Sequence, residues 1–343
     1  MKKTLFACAF AGVLLFSCEV EEETQNLELQ TVNLSMKNMV AVDIAQLPPA
    51  TPIAKLDLKT SNLQFAKANN TEQNEFSELQ SRADALNALL IPYGVQLEKM
   101  EYYSADAAGR TVFFSDTGNK QLGSDFVPND PRNAGGETVP YIIDGTQLTT
   151  ASGLNTFGAI ENVMNTWNEV TCSDGLELPN FGVSPTDIGF ISNVFFGFGG
   201  SNGFFPGIIV QAGILPSDFF DLVAPGGGSF ILGVTFTLTY IEDINEDGVG
   251  DVAIKEIYYN DAFNWQDTVA TGGGVDFETV ALHETGHALS QAHFGKVSIT
   301  ESNGKVHFSP RALMNAGYSG VNRVVEKTDK AGHCSNWGNW PNN

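Results

Sequence analysis

Cationic side chains are scarce in this 343-residue chain: 18 Lys and Arg stand against 40 Asp and Glu, a formal charge of −22. Such a surface repels phosphate backbones, so nucleic acid is excluded as an expected partner, and anionic lipid surfaces are disfavoured too. Cysteine is also rare, four in all, and two of these, Cys8 and Cys18, fall in the first 18 residues. Only Cys172 and Cys334 remain to pair in an oxidising compartment; the alternative is two buried free thiols. Beyond the N-terminal leader no run is apolar enough to cross a bilayer as a helix. Charged residues make up only 17% of the chain and hydrophobic ones 42%, which is a globular composition and argues against disorder throughout. No internal repeat of fixed period is present.

The leader has Lys2 and Lys3, an apolar run from Leu5 to Phe16, then Ser17 and Cys18. It is too short to span a membrane and reads as a targeting signal. Leu15-Phe16-Ser17-Cys18 resembles a bacterial lipobox, in which the cysteine becomes the lipidated first residue. The acidic tract after it, Glu19 and Glu21 to Glu23, resembles the surface-export signal of bacterial lipoproteins. The expected location is therefore the cell envelope, as an outer-membrane or cell-surface lipoprotein that touches membrane only through its anchor. An ordinary cleaved signal, giving a secreted protein, is the alternative.

Residues 19–60 are polar, contain Leu47-Pro48-Pro49-Ala50-Thr51-Pro52 and lack an apolar period, as a tether does. The spacing of Phe76, Leu79, Ala83, Leu86 and Leu90 predicts a helix ended by Pro92 and Gly94. Short strands at Val95–Leu97 and Thr111–Phe114 complete a small α+β unit, residues 61–134, as a pro- or accessory domain. The turn-forming stretch from Pro128 to Gly136 marks its boundary with a second α+β domain, residues 135–343. There a strand at Val139–Ile143 precedes a helix that puts Phe157, Ile160, Val163, Met164 and Trp167 on one face. Strands at Ile231–Tyr240 and Val252–Tyr259 follow a Phe- and Gly-rich stretch, 181–230, without an assigned role.

Asp276 can cap a helix that carries His283-Glu284-Thr285-Gly286-His287. Four residues make just over one helical turn, so both imidazoles leave the same face and can meet one tetrahedral ion. Glu284 is angled toward the open coordination position, where it can take a proton from a water acidified by zinc. A third histidine, His293, lies six residues beyond the second, which makes a chance match far rarer than for the five-residue motif alone. Glu301 is an alternative third ligand. His307 and His333 are expected at the surface.

The string from His283 to His293 resembles the matrixin branch of the metzincin zinc peptidases, over roughly Val139 to Trp340. Ala312-Leu313-Met314-Asn315-Ala316-Gly317-Tyr318 resembles the Met-turn of that family, which implies Met314 beneath the metal and Tyr318 lining the substrate pocket. Thr328-Asp329-Lys330-Ala331-Gly332 resembles the start of its C-terminal helix. Ser290 stands where the family has glycine, so a left-handed serine is expected, and the spacing to Met314 implies an inserted hairpin near Ser298–Phe308. The resemblance implies a metzincin-like catalytic domain, a mixed twisted sheet with an active-site helix and a C-terminal helix, and a monomeric endopeptidase acting on protein or peptide substrates. No propeptide cysteine is available to hold it latent, so Asp125 or Asp130 is the candidate for that role.

Asp243, Asn245, Asp247 and Asp251 place oxygen ligands at alternating positions around Gly248, as a calcium loop does, although the twelfth position is Ile254; an Asx-rich turn is the alternative. The competing function is a non-catalytic surface-binding lipoprotein with a structural zinc.

Overall fold

The computed structural model describes residues 40–41, 77–105, 108–115, 123–133, 136–172, 175–267, 274–300, 302 and 306–342. The leader, Cys18, most of the tether and Glu301 lie outside these residues.

Helix α1, Ser77–Leu90, buries Leu79, Ala83, Leu86 and Leu90 at the predicted spacing. It runs into a short 3-10 turn, Ile91–Tyr93, closed by Gly94 in the left-handed conformation (φ 69°), where glycine carries no Cβ penalty. Strand β1 follows as Val95–Ser104, ten residues where the sequence suggested three. Register shifts between Leu97 and Lys99 and between Tyr103 and Ser104 disguise it, as do the buried charges Glu98, Lys99 and Glu101. Bulges break the period of two on which a strand is recognised.

The other strands of the main sheet are β2 (Thr111–Phe113), β3 (Ser124–Asp125), β4 (Tyr141–Asp144), β5 (Asn180–Ser184), β6 (Ile208–Leu215), β7 (Ile231–Tyr240) and β8 (Gly250–Asn260). They join β1 in one sheet of order β2-β1-β7-β8-β6-β4-β5, with β3 added parallel to the start of β8. Neighbours β8, β6, β4 and β5 run parallel, whereas β7 is antiparallel to β8 and β1 antiparallel to β7. The segments on either side of residues 128–136 share one sheet: β1 pairs with β7 from Val95↔Tyr240 to Ser104↔Ile231. A turn-rich stretch marks a change of direction, and only long-range pairing shows whether the sheet continues across it.

Successive side chains on the strands point to opposite faces, and two apolar clusters result. On one face α1 packs on β1 and shares a cluster with Val234, Phe236 and Leu238 and with Phe190, Phe195, Phe219 and Phe220 from the Phe-rich stretch. That stretch thus becomes core, carried by α3 (Phe190–Val194) and α4 (Ser217–Val223). On the other face lie α2 (Phe157–Asn168), α5 (Phe277–Ala288) and α6 (Lys327–Trp337), packed on Ile143, Ile209, Ile257 and Tyr259. The inserted hairpin is present as β9 (Lys296–Ile299) and β10 (Val306–Ser309). Cys172 and Cys334 form a disulfide across 162 residues, tying the end of α2 to α6. No helix among the described residues is long and apolar enough to cross a membrane.

Candidate metal centre

Helix α5 begins at Asp276, whose Oδ1 accepts from the Thr279 amide at 2.9 Å, and Arg323 makes an ion pair with the same carboxylate. This cap fixes the start of a helix in which every residue except Glu278 is buried. Gly286, one position before His287, sits where a Cβ would collide with the Met314 sulfur, so the helix rests directly on that methionine. The turn bearing Met314 is held from α6: Asp329 accepts from the amides of Leu313 and Met314 at 2.9 and 3.0 Å.

His283 and His287 leave the same face of α5, and His293 comes back to them after the chain turns at Ser290. That serine has φ 66°, the left-handed conformation expected of it. The donor atoms of His283, His287 and His293 all lie within 4.8 Å of one another; among the described residues no other such group of three or more His, Cys, Asp or Glu gathers. Each α5 imidazole is oriented from behind. His283 Nδ1 lies 2.8 Å from the Leu313 carbonyl oxygen and His287 Nδ1 lies 2.7 Å from that of Gln291. A carbonyl can only accept, so both rings carry the proton on Nδ1 and present an Nε2 lone pair to the centre.

His283 Nε2 is buried without a hydrogen-bond partner, and His287 Nε2 lies 3.2 Å from His293 Nε2. A proton on His293 Nε2 can satisfy the His287 lone pair, whereas a cation shared by the three rings would satisfy that of His283 as well. Burial first, and the neighbouring imidazoles second, push all three histidines down to about 3. They are neutral at physiological pH, as metal ligation requires. The donor set therefore fits zinc: three neutral imidazoles with one coordination position left open.

Glu284 points from α5 toward β7. Its Oε2 accepts from the Thr235 hydroxyl at 2.6 Å, while Oε1 is buried without a partner. Burial, and secondarily Glu101, raises its proton affinity well above the usual carboxylate range, opposed in part by the Thr235 hydroxyl and the Tyr103 main-chain amide. A Cβ on Gly233 would stand 2.9 Å from Glu284 Cγ, so glycine there makes the room this side chain needs.

Tyr103 on β1, not singled out from the sequence, stacks on His283 with centroids 3.8 Å apart. The Tyr318 ring meets it edge-on at 6.2 Å, and the Tyr318 hydroxyl accepts from the Asp276 amide at 3.0 Å. Glu101, also on β1, sits 3.6 Å from His287 Nδ1 and pairs with Lys99. Neither residue carries a motif; only the register of β1 on β7 brings them here.

Three expectations need correction. Asp130 does not approach the histidines, because Arg132 engages its carboxylate and bridges it to Asp251. Asp125 lies instead beside the acidic loop, where burial and then Asp247, Asp251 and Asp243 push it up to about 7. His333 is not a surface residue: it is fully buried, stacked on Trp167 at 5.3 Å, because α6 turns that side toward the sheet. His307 is exposed as expected. In the acidic loop Asp243 accepts from the Gly248 amide and Asp251 from that of Ile244, at 2.8 and 2.9 Å, and Asn245 donates to Asp247. One oxygen each of Asp125, Asp243 and Asp251 is buried without a partner.

No protein-family model matches this chain, and no curated protein matches it significantly.

Proposed function

We propose that this protein is a zinc-dependent endopeptidase of the matrixin-like metzincin kind, carried at the cell envelope by lipidated Cys18 and acting on extracellular proteins. The observation that carries the reading is the convergence of His283, His287 and His293 beside a glutamate with one unpartnered oxygen. A zinc ion held by the three imidazoles would supply Lewis acidity, polarising a peptide carbonyl and acidifying a water. Glu284, adjacent in sequence to a ligand and raised in proton affinity, takes the proton from that water and returns it to the departing amine. Thr235 keeps the carboxylate aimed, and Gly233 leaves it room. Met314 supports the ligand helix through Gly286, and Tyr318 stands at the edge of the site.

Calcium is proposed for the loop of Asp243, Asn245, Asp247 and Asp251. Its support is the set of unpartnered oxygens there, to which Asp125 adds one.

A second reading, a binding lipoprotein in which zinc only staples the fold, draws on the complete burial of His283, Glu284 and His287. Against it, a staple has no use for a buried glutamate held at one oxygen. The two separate on metal content and turnover. The endopeptidase binds one zinc per chain and loses casein cleavage to a chelator. Glu284→Gln then retains the metal and loses about 10²–10⁴-fold in rate, the usual worth of a general acid–base group. Unchanged turnover in that variant rules the enzyme reading out.

A further inference from the structure

His283, Glu284 and His287 are fully buried while His293 is only partly so, and the element that covers the first three is β1. Residues Glu101 to Tyr103 pair antiparallel with Thr235 to Gly233 of β7. On the other side Ser104 bridges in parallel to Gly317, its carbonyl oxygen accepting from the Tyr318 amide at 2.8 Å. The chain at Tyr103 and Ser104 is thus gripped between two main-chain rails, β7 and the segment after Met314. These rails cross the site within reach of both His283 and Glu284: Tyr103 lies flat on His283 at 3.8 Å, and Gly233, its partner in register, is the residue against Glu284. Any polypeptide brought to Glu284 in extended form would need those same rails, since main-chain pairing to a free strand edge is how extended chains are held. What remains open is a pocket of about 400 Å³ that reaches His293 past Lys99 and Glu101, room enough for a small molecule.

We propose that residues Glu101–Ser104 are an internal pseudosubstrate: they hold the slot between β7 and residues 316–318 and slow the full chain's cleavage of polypeptides at least tenfold, and the slot takes an extended polypeptide with an aromatic side chain in the place of Tyr103 once β1 leaves. This rests on the protease reading. It also assigns latency to a strand and an aromatic ring, in place of the carboxylates of Asp125 and Asp130 that the sequence suggested.

The test compares the full-length chain with Tyr103→Ala and Tyr103→Phe. With the metal removed, each is treated with diethyl pyrocarbonate and the modification of His283 and His287 is followed by mass spectrometry. Wild type and Tyr103→Phe should be protected at least tenfold relative to Tyr103→Ala. Loaded with one zinc, Tyr103→Ala should cleave casein at least tenfold faster than wild type. A synthetic peptide of residues 97–106 should suppress the gain, more strongly than the same peptide with alanine at its Tyr103 position. If Tyr103→Ala does not fold, the wild type decides alone: modification of its two buried histidines as fast as in the denatured chain overturns the proposal. Equal casein turnover by zinc-loaded wild type and folded Tyr103→Ala overturns the pseudosubstrate and leaves the protease standing. Turnover by no zinc-loaded form removes the protease reading, and the pseudosubstrate with it.

Discussion

Ser290 is the residue on which the chain turns to bring back the third histidine, and it is an unfavourable one for the task. Its φ of 66° places Cβ against the following carbonyl, a cost of roughly 1–2 kcal/mol that glycine escapes. Its hydroxyl is buried without a partner, which adds to the cost. Glycine at this position removes both defects, against a loss of unfolded-state order of about 0.5–1 kcal/mol. Ser290→Gly is therefore expected to stabilise the protein by about 1 kcal/mol, read as a rise in thermal midpoint, with zinc stoichiometry unchanged. A fall in midpoint would show that the serine makes a contact worth more than its strain. The three histidines and Glu284 were legible in sequence because the spacing of His283, Glu284 and His287 on a helix, with His293 six residues on, is itself the geometry of the candidate site. Tyr103 and Gly233 were not, since each acquires meaning only from a register set across 130 residues of intervening chain.

At the scale of elements, helices α1, α2 and α5 and strands β7 and β8 follow the apolar periods of the sequence closely. β1 escapes, because bulges and buried charges hide its alternation. The Phe-rich stretch escapes for the opposite reason: it is apolar throughout, and a run without period does not say which sheet face it will cover. The acidic loop between β7 and β8 carries its own test. Asp125 from β3 is pushed up from its ordinary value to about 7 by burial and three neighbouring carboxylates. The folded state then holds this proton more tightly than the unfolded one, so the contribution of Asp125 is fully present below about pH 4 and is lost as pH rises through about 7. In chelator, the thermal midpoint of wild type should decline over that window more steeply than that of Asp125→Asn. Calcium should flatten the wild-type curve by compensating the carboxylates. Matching slopes for the two proteins in chelator would refute the crowding of charge at this loop.

Across the whole molecule, the sheet carries α1 with the Phe cluster on one face and the ligand helix on the other, so the N-terminal segment and the metal centre share one framework. The second layer is closed by the Cys172–Cys334 disulfide, which fixes α6 and, through Asp329, the Met314 turn beneath the ligands. On the chain-entropy account, a link across 162 residues restricts the unfolded chain by about 5 kcal/mol. This is a large share of the 5–15 kcal/mol typical of a folded domain. Replacing both cysteines by serine should thus lower the thermal midpoint by more than ten degrees. The effect should extend to the site, because α6 is freed to draw Asp329 away from Leu313, whose carbonyl orients His283. The double variant is then expected to bind zinc more weakly at a temperature where it is still folded, measured by competition with a chromophoric chelator. A lowered midpoint with unaltered zinc affinity would separate the two effects and show that the Met314 turn holds its shape without the covalent tie.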